Sequence, residues 1–261
     1  MKMLKLVLVS AVLLLSPRVT AQTATDKNLF NHLAVGLSTG TDGLIGLDVA
    51  APIGNYVSVR AGYQFMPKFT LDVDIDYQYN GSRTSTAQGK LNVGNFKLLF
   101  DAYPFQKSSF HVTAGAYIGT SKLAEAYNKG PLDGVSPADY GVAKIQISDN
   151  PNNFFGTDLQ GNVKGRVKVN SFKPYLGVGF GHVVPKSRLS FNFDLGMQFW
   201  GKPKVEIYNY QDFYLPSEQE WKEIKKSDFN DHDDDAYKAL NILSKLTVYP
   251  VLNFRLGFKA F

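Results

Sequence analysis

The chain has 261 residues, 44% of them hydrophobic and 20% charged, with 23 Gly, 14 Tyr, 19 Phe and no Cys. That composition excludes a collagen-like, disulfide-stapled or disordered protein, and the missing cysteine excludes thiol nucleophiles, cysteine zinc sites, thioether-linked haem and lipoprotein acylation. The formal charge of +5 falls to +2, with 25 basic against 23 acidic residues, once the leader's Lys2, Lys5 and Arg18 are set aside, so the charge points to no nucleic-acid partner.

The leader comes first along the chain. Lys2 and Lys5 precede a largely apolar stretch over residues 6–15, and Val19-Thr20-Ala21 is a small-residue cleavage site. Such a stretch is too short to cross a bilayer as a helix, which takes ~20 residues. The pattern therefore predicts a signal peptide over residues 1–21 and a single exported domain over residues 22–261.

The rest of the chain alternates apolar and polar residues with period 2, in segments of a length suited to transmembrane β-strands. Leu33, Val35 and Leu37 begin the series. Ile45, Leu47 and Val49 follow, opposite Gly46 and Asp48. Val57, Val59, Ala61, Tyr63 and Phe65 oppose Ser58, Arg60, Gly62 and Gln64. Phe96, Leu98, Phe100 and Ala102 oppose Lys97, Leu99 and Asp101. Phe110, Val112, Ala114, Ala116 and Ile118 oppose His111, Thr113, Gly115 and Tyr117. Leu176, Val178 and Phe180 oppose Tyr175, Gly177 and Gly179. In the clearest segment Leu189, Phe191, Phe193, Leu195 and Met197 oppose Ser190, Asn192, Asp194, Gly196 and Gln198. Leu252, Phe254, Leu256 and Phe258 close the series opposite Asn253, Arg255, Gly257 and Lys259.

These segments predict an all-β fold: an antiparallel, up-and-down transmembrane β-barrel of eight strands. Connections after even-numbered strands are all short, and the three long ones share the other end, as expected of short periplasmic turns and long extracellular loops. Residues 69–79 alternate just as well. They read as wall continuing above the membrane in a hairpin with the stretch before Asn92. The alternative is a ten-stranded barrel, with residues 141–147 supplying the other extra strand. The last long loop reads as partly helical. Ser217 and Glu220 fit a capping box ahead of Trp221 and Ile224, and Ala236, Ala239, Leu240 and Leu243 share one helical face.

Several short stretches also resemble a known group. They are Asp101-Ala102-Tyr103-Pro104-Phe105, Ala114-Gly115, residues 174–179 (Pro-Tyr-Leu-Gly-Val-Gly), Phe193-Asp194-Leu195-Gly196, Pro203-Lys204-Val205 and Tyr249-Pro250-Val251. In this order they resemble the small outer-membrane β-barrel proteins of Gram-negative bacteria, in the broad OmpA/OmpW-like group. The resemblance covers residues 33–261. It implies a location in the outer membrane with loops outside, and insertion by the barrel assembly machinery through a C-terminal aromatic signal. Phe261, out of phase with Phe254 and Phe258, departs from that signal.

The inward parity collects Asp48, Arg60, Lys97, Asp101, His111, Asp194, Arg255 and Lys259. Eight strands enclose a space that side chains just fill, so these charges are expected to form a paired polar network rather than an open pore. A narrow porin-like channel or transporter for small solutes is the alternative, since Gly62, Gly115, Gly177, Gly179 and Gly181 on the inner face could leave room. Tyr63, Phe65, Tyr103, Phe105, Trp200 and Tyr249 lie near strand ends and fit interfacial aromatic girdles. The four histidines, His32, His111, His182 and His232, form no hydrolase constellation by register. His182 is expected to face outward. A lipid-modifying enzyme is accordingly the least supported reading, and no catalytic residue is assigned. Asp231, Asp233 and Asp235 hint at calcium, but Ala236 and Ile242 stand where an EF-hand needs Gly and Glu, so the acids read better as a solvated helix start. No cofactor is expected. The expected partners are outer-membrane lipid, the assembly machinery and an unidentified surface ligand.

Overall fold

The computed structural model describes residues 32–105, 107–141, 143–146, 154–210, 219–229 and 235–260. The predicted signal peptide, Ser217, Asp231, Asp233, His232 and Phe261 lie outside these residues.

Sixteen strands are described. In chain order they are β1 (Ala34–Gly40), β2 (Gly43–Pro52), β3 (Val57–Phe65), β4 (Phe69–Gln78), β5 (Ser82–Leu91), β6 (Gly94–Ala102), β7 (Phe110–Gly119) and β8 (Lys122–Asn128). Then come β9 (Lys144–Gln146), β10 (Phe154–Gly156), β11 (Lys164–Lys168), β12 (Phe172–Phe180), β13 (Leu189–Phe199), β14 (Lys204–Tyr210) and β15 (Gln219–Glu223). The helix α1 (Asp235–Lys245) precedes β16 (Val248–Lys259). Among the described residues no helix is long and apolar enough to cross a membrane.

Eight of the strands close an antiparallel barrel in the order β1-β16-β13-β12-β7-β6-β3-β2. Closure runs from Ala34 opposite Lys259 to Gly40 opposite Asn253. The period-2 pattern decides which way each side chain points. Leu47, Phe96, Leu176, Leu195 and Phe254 project outward and are exposed, and Phe191 keeps 77% of its surface. Their neighbours in sequence point inward and are buried, and those inward positions are largely polar. The usual arrangement of a soluble protein is inverted: an apolar exterior surrounds a polar core.

The other eight strands form a second sheet, the crown, in the order β10-β9-β4-β5-β8-β11-β14-β15. It stands on the barrel end where the three long connections emerge. Residues 69–79 belong here. β4 pairs with β5 from Phe69 opposite Leu91 to Gln78 opposite Ser82, and the hairpin turns at Asn80 and Gly81, both at positive φ (50° and 117°). β9 pairs with β10 and touches β4 at Gln78, so residues 144–146 extend the crown and not the barrel wall. The ten-stranded alternative is thereby excluded.

The crown curls until β10 lies against β14. Inside the curl Tyr77, Leu132, Val135, Ala143, Ile145 and Val163 form a core of their own. Tyr77 donates from its hydroxyl to the Asp133 carbonyl at 2.7 Å, which satisfies the polar tip of a buried ring.

The last long connection is part helix and part strand. The periodicity of Ala236 to Leu243 matches α1, with Leu240 buried. The helix expected around Glu220, Trp221 and Ile224 is instead β15, which pairs with β14. Cross-strand packing outweighs the local capping signal there. Trp221 meets Tyr208 edge-on at 5.4 Å and lies under the Arg166 guanidinium at 3.8 Å.

Candidate functional site

The inward side chains form a continuous polar column along the barrel axis. At its middle is Arg60, carried on β3. Its Nη1 donates to Asp194 Oδ2 of β13 at 2.7 Å, and its Nη2 donates to Asp101 Oδ1 of β6 at 2.6 Å. His111 Nε2 of β7 lies 2.8 Å from Asp194 Oδ1, and the Thr113 hydroxyl donates to Asp101 Oδ1 at 2.7 Å. The register places Asp101 directly opposite Thr113, with His111 two residues along the same face. One guanidinium thus ties three strands together across the lumen.

Towards the end with the short turns, Arg255 Nε donates to Asp48 Oδ1 at 2.8 Å and its Nη1 to the Val183 carbonyl at 2.8 Å. Towards the crown, Lys97 Nζ lies 3.5 Å from Asp48 Oδ2 and donates to Gln64 Oε1 at 3.0 Å. Asp42 comes next. Its Oδ1 accepts from Gln64 Nε2 at 3.0 Å and Asn253 Nδ2 at 2.9 Å, and its Oδ2 accepts from the Tyr117 hydroxyl at 2.9 Å. All of these groups are buried. Ions held in so little water are tolerable only when paired and hydrogen-bonded, and here they are.

The inner-face glycines accommodate this filling instead of opening the lumen. A Cβ on Gly36 would fall 2.2 Å from Arg255 Nε, and one on Gly179 would fall 2.4 Å from Asp194 Oδ1. Long side chains lie directly on the bare backbone of their own or the neighbouring strand. Tyr175 does the same over Gly177 and Gly196. Of the glycines offered as room for a pore, Gly177 and Gly179 lie under the Tyr175 and Asp194 side chains, whereas a Cβ on Gly62, Gly115 or Gly181 would first meet a carbonyl of the neighbouring strand.

Seven of the eight expected network residues come together: Asp48, Arg60, Lys97, Asp101, His111, Asp194 and Arg255. Lys259 does not. It sits at the last position of β16 and is exposed, because the strand has already left the buried part of the wall. Sequence reasoning counted ionisable side chains and so passed over Gln64, Asn95, Thr113, Asn192, Gln198 and Asn253, although each has inward parity and is buried. It also missed Asp42, which lies in the β1–β2 turn, and Lys173, at the start of β12.

The aromatic expectations divide. Tyr63, Phe65 and Phe105 are exposed on the outside. Trp200 is buried and Tyr103 and Tyr249 are half-buried, and their polar atoms make hydrogen bonds within the chain. The Tyr103 hydroxyl accepts from Val183 N at 3.0 Å, Trp200 Nε1 donates to the Leu246 carbonyl at 2.7 Å, and the Tyr249 hydroxyl donates to the Thr41 carbonyl at 2.8 Å. His182 was expected to face outward; it is half-buried against Tyr103, 5.4 Å between ring centres. Burial, with Lys186 and His111 nearby, holds its imidazole below the ordinary value.

Asp101, His111 and Asp194 place three potential metal-ligating atoms within 4.8 Å of one another. Arg60 already holds both carboxylates, so a divalent cation there would face a fixed positive charge, and the chemistry of the cluster is that of an ion pair. Both His111 nitrogens are engaged, Nε2 by Asp194 and Nδ1 by the Ser109 carbonyl at 3.3 Å, which leaves neither to activate a hydroxyl. Of the predicted acidic run, only Asp235 is described, as the first residue of α1.

No protein-family model matches the chain, and no curated protein matches it significantly. Among solved structures it is similar to Acinetobacter baumannii CarO2, at 17% identity, a TM-score of 0.46, and coverage of 87% of this chain and 98% of that one. It is also similar to Acinetobacter baumannii CarO, at 18% identity, a TM-score of 0.46, and coverage of 87% and 96%.

Proposed function

We propose that this protein is an integral outer-membrane barrel of a Gram-negative envelope, non-enzymatic and closed to solutes, whose crown presents a structured surface to a ligand outside the cell. The observation that carries the reading is the Arg60 crossing: one buried guanidinium bound to Asp101 and Asp194 on other strands, with side-chain exposures of 1%, 0% and 4%. A solute passing along the axis would have to break both pairs. The apolar outer face supports the membrane location. An exposed belt of Phe, Leu and Val around a closed barrel is stable in hydrocarbon and a liability in water. The short-turn end then faces the periplasm and the crown faces outward, in keeping with insertion by the barrel assembly machinery.

The test is single-channel recording on the refolded protein in a planar bilayer, with heat-modifiable gel migration confirming the barrel in the same preparation. A folded but silent protein is the expected result. Steady conductance would overturn the closed-barrel reading and favour a narrow channel.

A further inference from the structure

Where the barrel meets the crown there is a cavity of about 220 Å³, bordered by the Asp42 end of the polar column. Its lining includes Lys173, Gln198, Trp200, Tyr249, Leu91 and Leu123. Leu91 is exposed at the rim, as are Thr41 and Asn92, so the cavity communicates with the outside.

Two polar groups on its wall are incompletely partnered. Lys173 is 3% exposed, and its Nζ donates to Asn95 Oδ1 at 2.7 Å and the Thr120 carbonyl at 2.8 Å. Both acceptors are neutral. Among the described residues no carboxylate pairs with it, whereas Arg60, Lys97 and Arg255 each have one. An ammonium has three donors, and these two bonds use two of them. Gln198, also 3% exposed, has a buried Nε2 with no hydrogen-bond partner among the described residues. The register sets the two close together, since Tyr175 pairs with Gln198 and Lys173 lies two residues along the same face of β12. A buried cation without a counter-ion and a buried amide donor without an acceptor thus border one space. Each is costly as it stands, and one anion would satisfy both.

Asp42 borders the same cavity, but its two oxygens already accept three bonds from Gln64, Asn253 and Tyr117, and its electrostatic partner is Lys97 on the barrel side. The remaining walls are mostly apolar, with the Trp200 ring against Tyr249 at 4.6 Å.

We infer that this cavity is a binding site for a small carboxylate with an apolar body, its carboxylate held by Lys173 Nζ and Gln198 Nε2 and its body against Trp200, Leu91 and Leu123. The volume suits a short-chain acid and excludes a full-length lipid chain. The site binds without conducting, because the column closed by Arg60 lies below it.

Trp200 is a built-in reporter. The chain has two tryptophans, Trp200 and Trp221, so Trp221→Phe leaves one signal, from the cavity wall. The probes are hexanoate, hexan-1-ol and hexylamine, titrated into the refolded W221F barrel in a nonionic detergent. Hexanoate should shift Trp200 emission saturably, at a concentration at least tenfold below that needed for either of the others. Lys173→Met should weaken hexanoate at least tenfold and leave hexan-1-ol unchanged, and Gln198→Leu should weaken it several-fold. Heat-modifiable migration checks that each variant folds; if Lys173→Met does not, the three-probe comparison on the W221F barrel still decides. Equal responses to hexanoate and hexan-1-ol, tighter binding of hexylamine, or no saturable response would each overturn the proposal.

Discussion

Arg60→Met is the sharpest test of the polar column. Methionine fills much of the same volume and carries no charge. The change removes the 2.7 Å bond to Asp194 and the 2.6 Å bond to Asp101. Asp101 Oδ1 is then left with the Thr113 hydroxyl at 2.7 Å, and Asp194 with His111 at 2.8 Å. Two buried carboxylates lose their common counter-charge. Charge-assisted hydrogen bonds contribute ~1.5–3 kcal/mol each, so two of them give ~3–6 kcal/mol. Breaking a buried ion pair by removing one partner costs ~3–5 kcal/mol, and the two routes agree. The assay is urea unfolding of the barrel in lipid vesicles, with the folded fraction read by heat-modifiable migration. The triple variant with Asp101→Asn and Asp194→Asn should recover most of the loss, because stranded charge is the main cost and amides carry none. A loss below ~1 kcal/mol for Arg60→Met, or a triple variant no more stable than the single one, would refute the argument that pairing holds the interior together.

Two further outcomes follow from the outer face and the crown. Leu195, exposed midway along β13, is placed near the middle of the apolar belt. Leu195→Arg should cost ~2–4 kcal/mol in the same vesicle assay, and a cost near zero would count against burial of this face in lipid. In the crown, burial raises the Glu206 carboxyl, but hydrogen bonds from Arg166 and Lys168 outweigh it and hold the group below its ordinary value. A depressed folded value means that this contribution is fully present above the ordinary glutamate range and is lost as pH falls through the folded value. Acidification should therefore loosen the β11–β14–β15 region. In a Trp200→Phe variant the emission of Trp221, stacked under Arg166, reports it directly. Glu206→Gln should abolish the pH-dependent part of that signal, and an unchanged acid response would exclude Glu206 as its source.

The side-chain period of 2 is a local property of an extended chain, so the sequence alone determined which residues face in and which face out. It also favoured eight barrel strands over ten, because bulky apolar alternation recurs in eight wall segments and the three long connections share one end, but only the pairing of residues 144–146 in the crown excluded ten. The same logic set residues 69–79 above the wall, where they are found. What it could not supply was partners. Arg60 and Asp194 are 134 positions apart, and only closure of the barrel brings them within hydrogen-bond reach. Tyr103, Trp200 and Tyr249 illustrate the same limit: a position near a strand end suggested an interfacial ring, but carbonyls and amides brought in by distant turns decided where their polar atoms went. Trp221 belongs to a strand and not a helix because β14 offered an edge to pair with. The cavity holding Lys173 and Gln198 belongs wholly to tertiary structure, since it exists only where the crown sits on the mouth of the barrel. Direction along a strand is written residue by residue, whereas pairing across a closed sheet depends on which distant strands become neighbours.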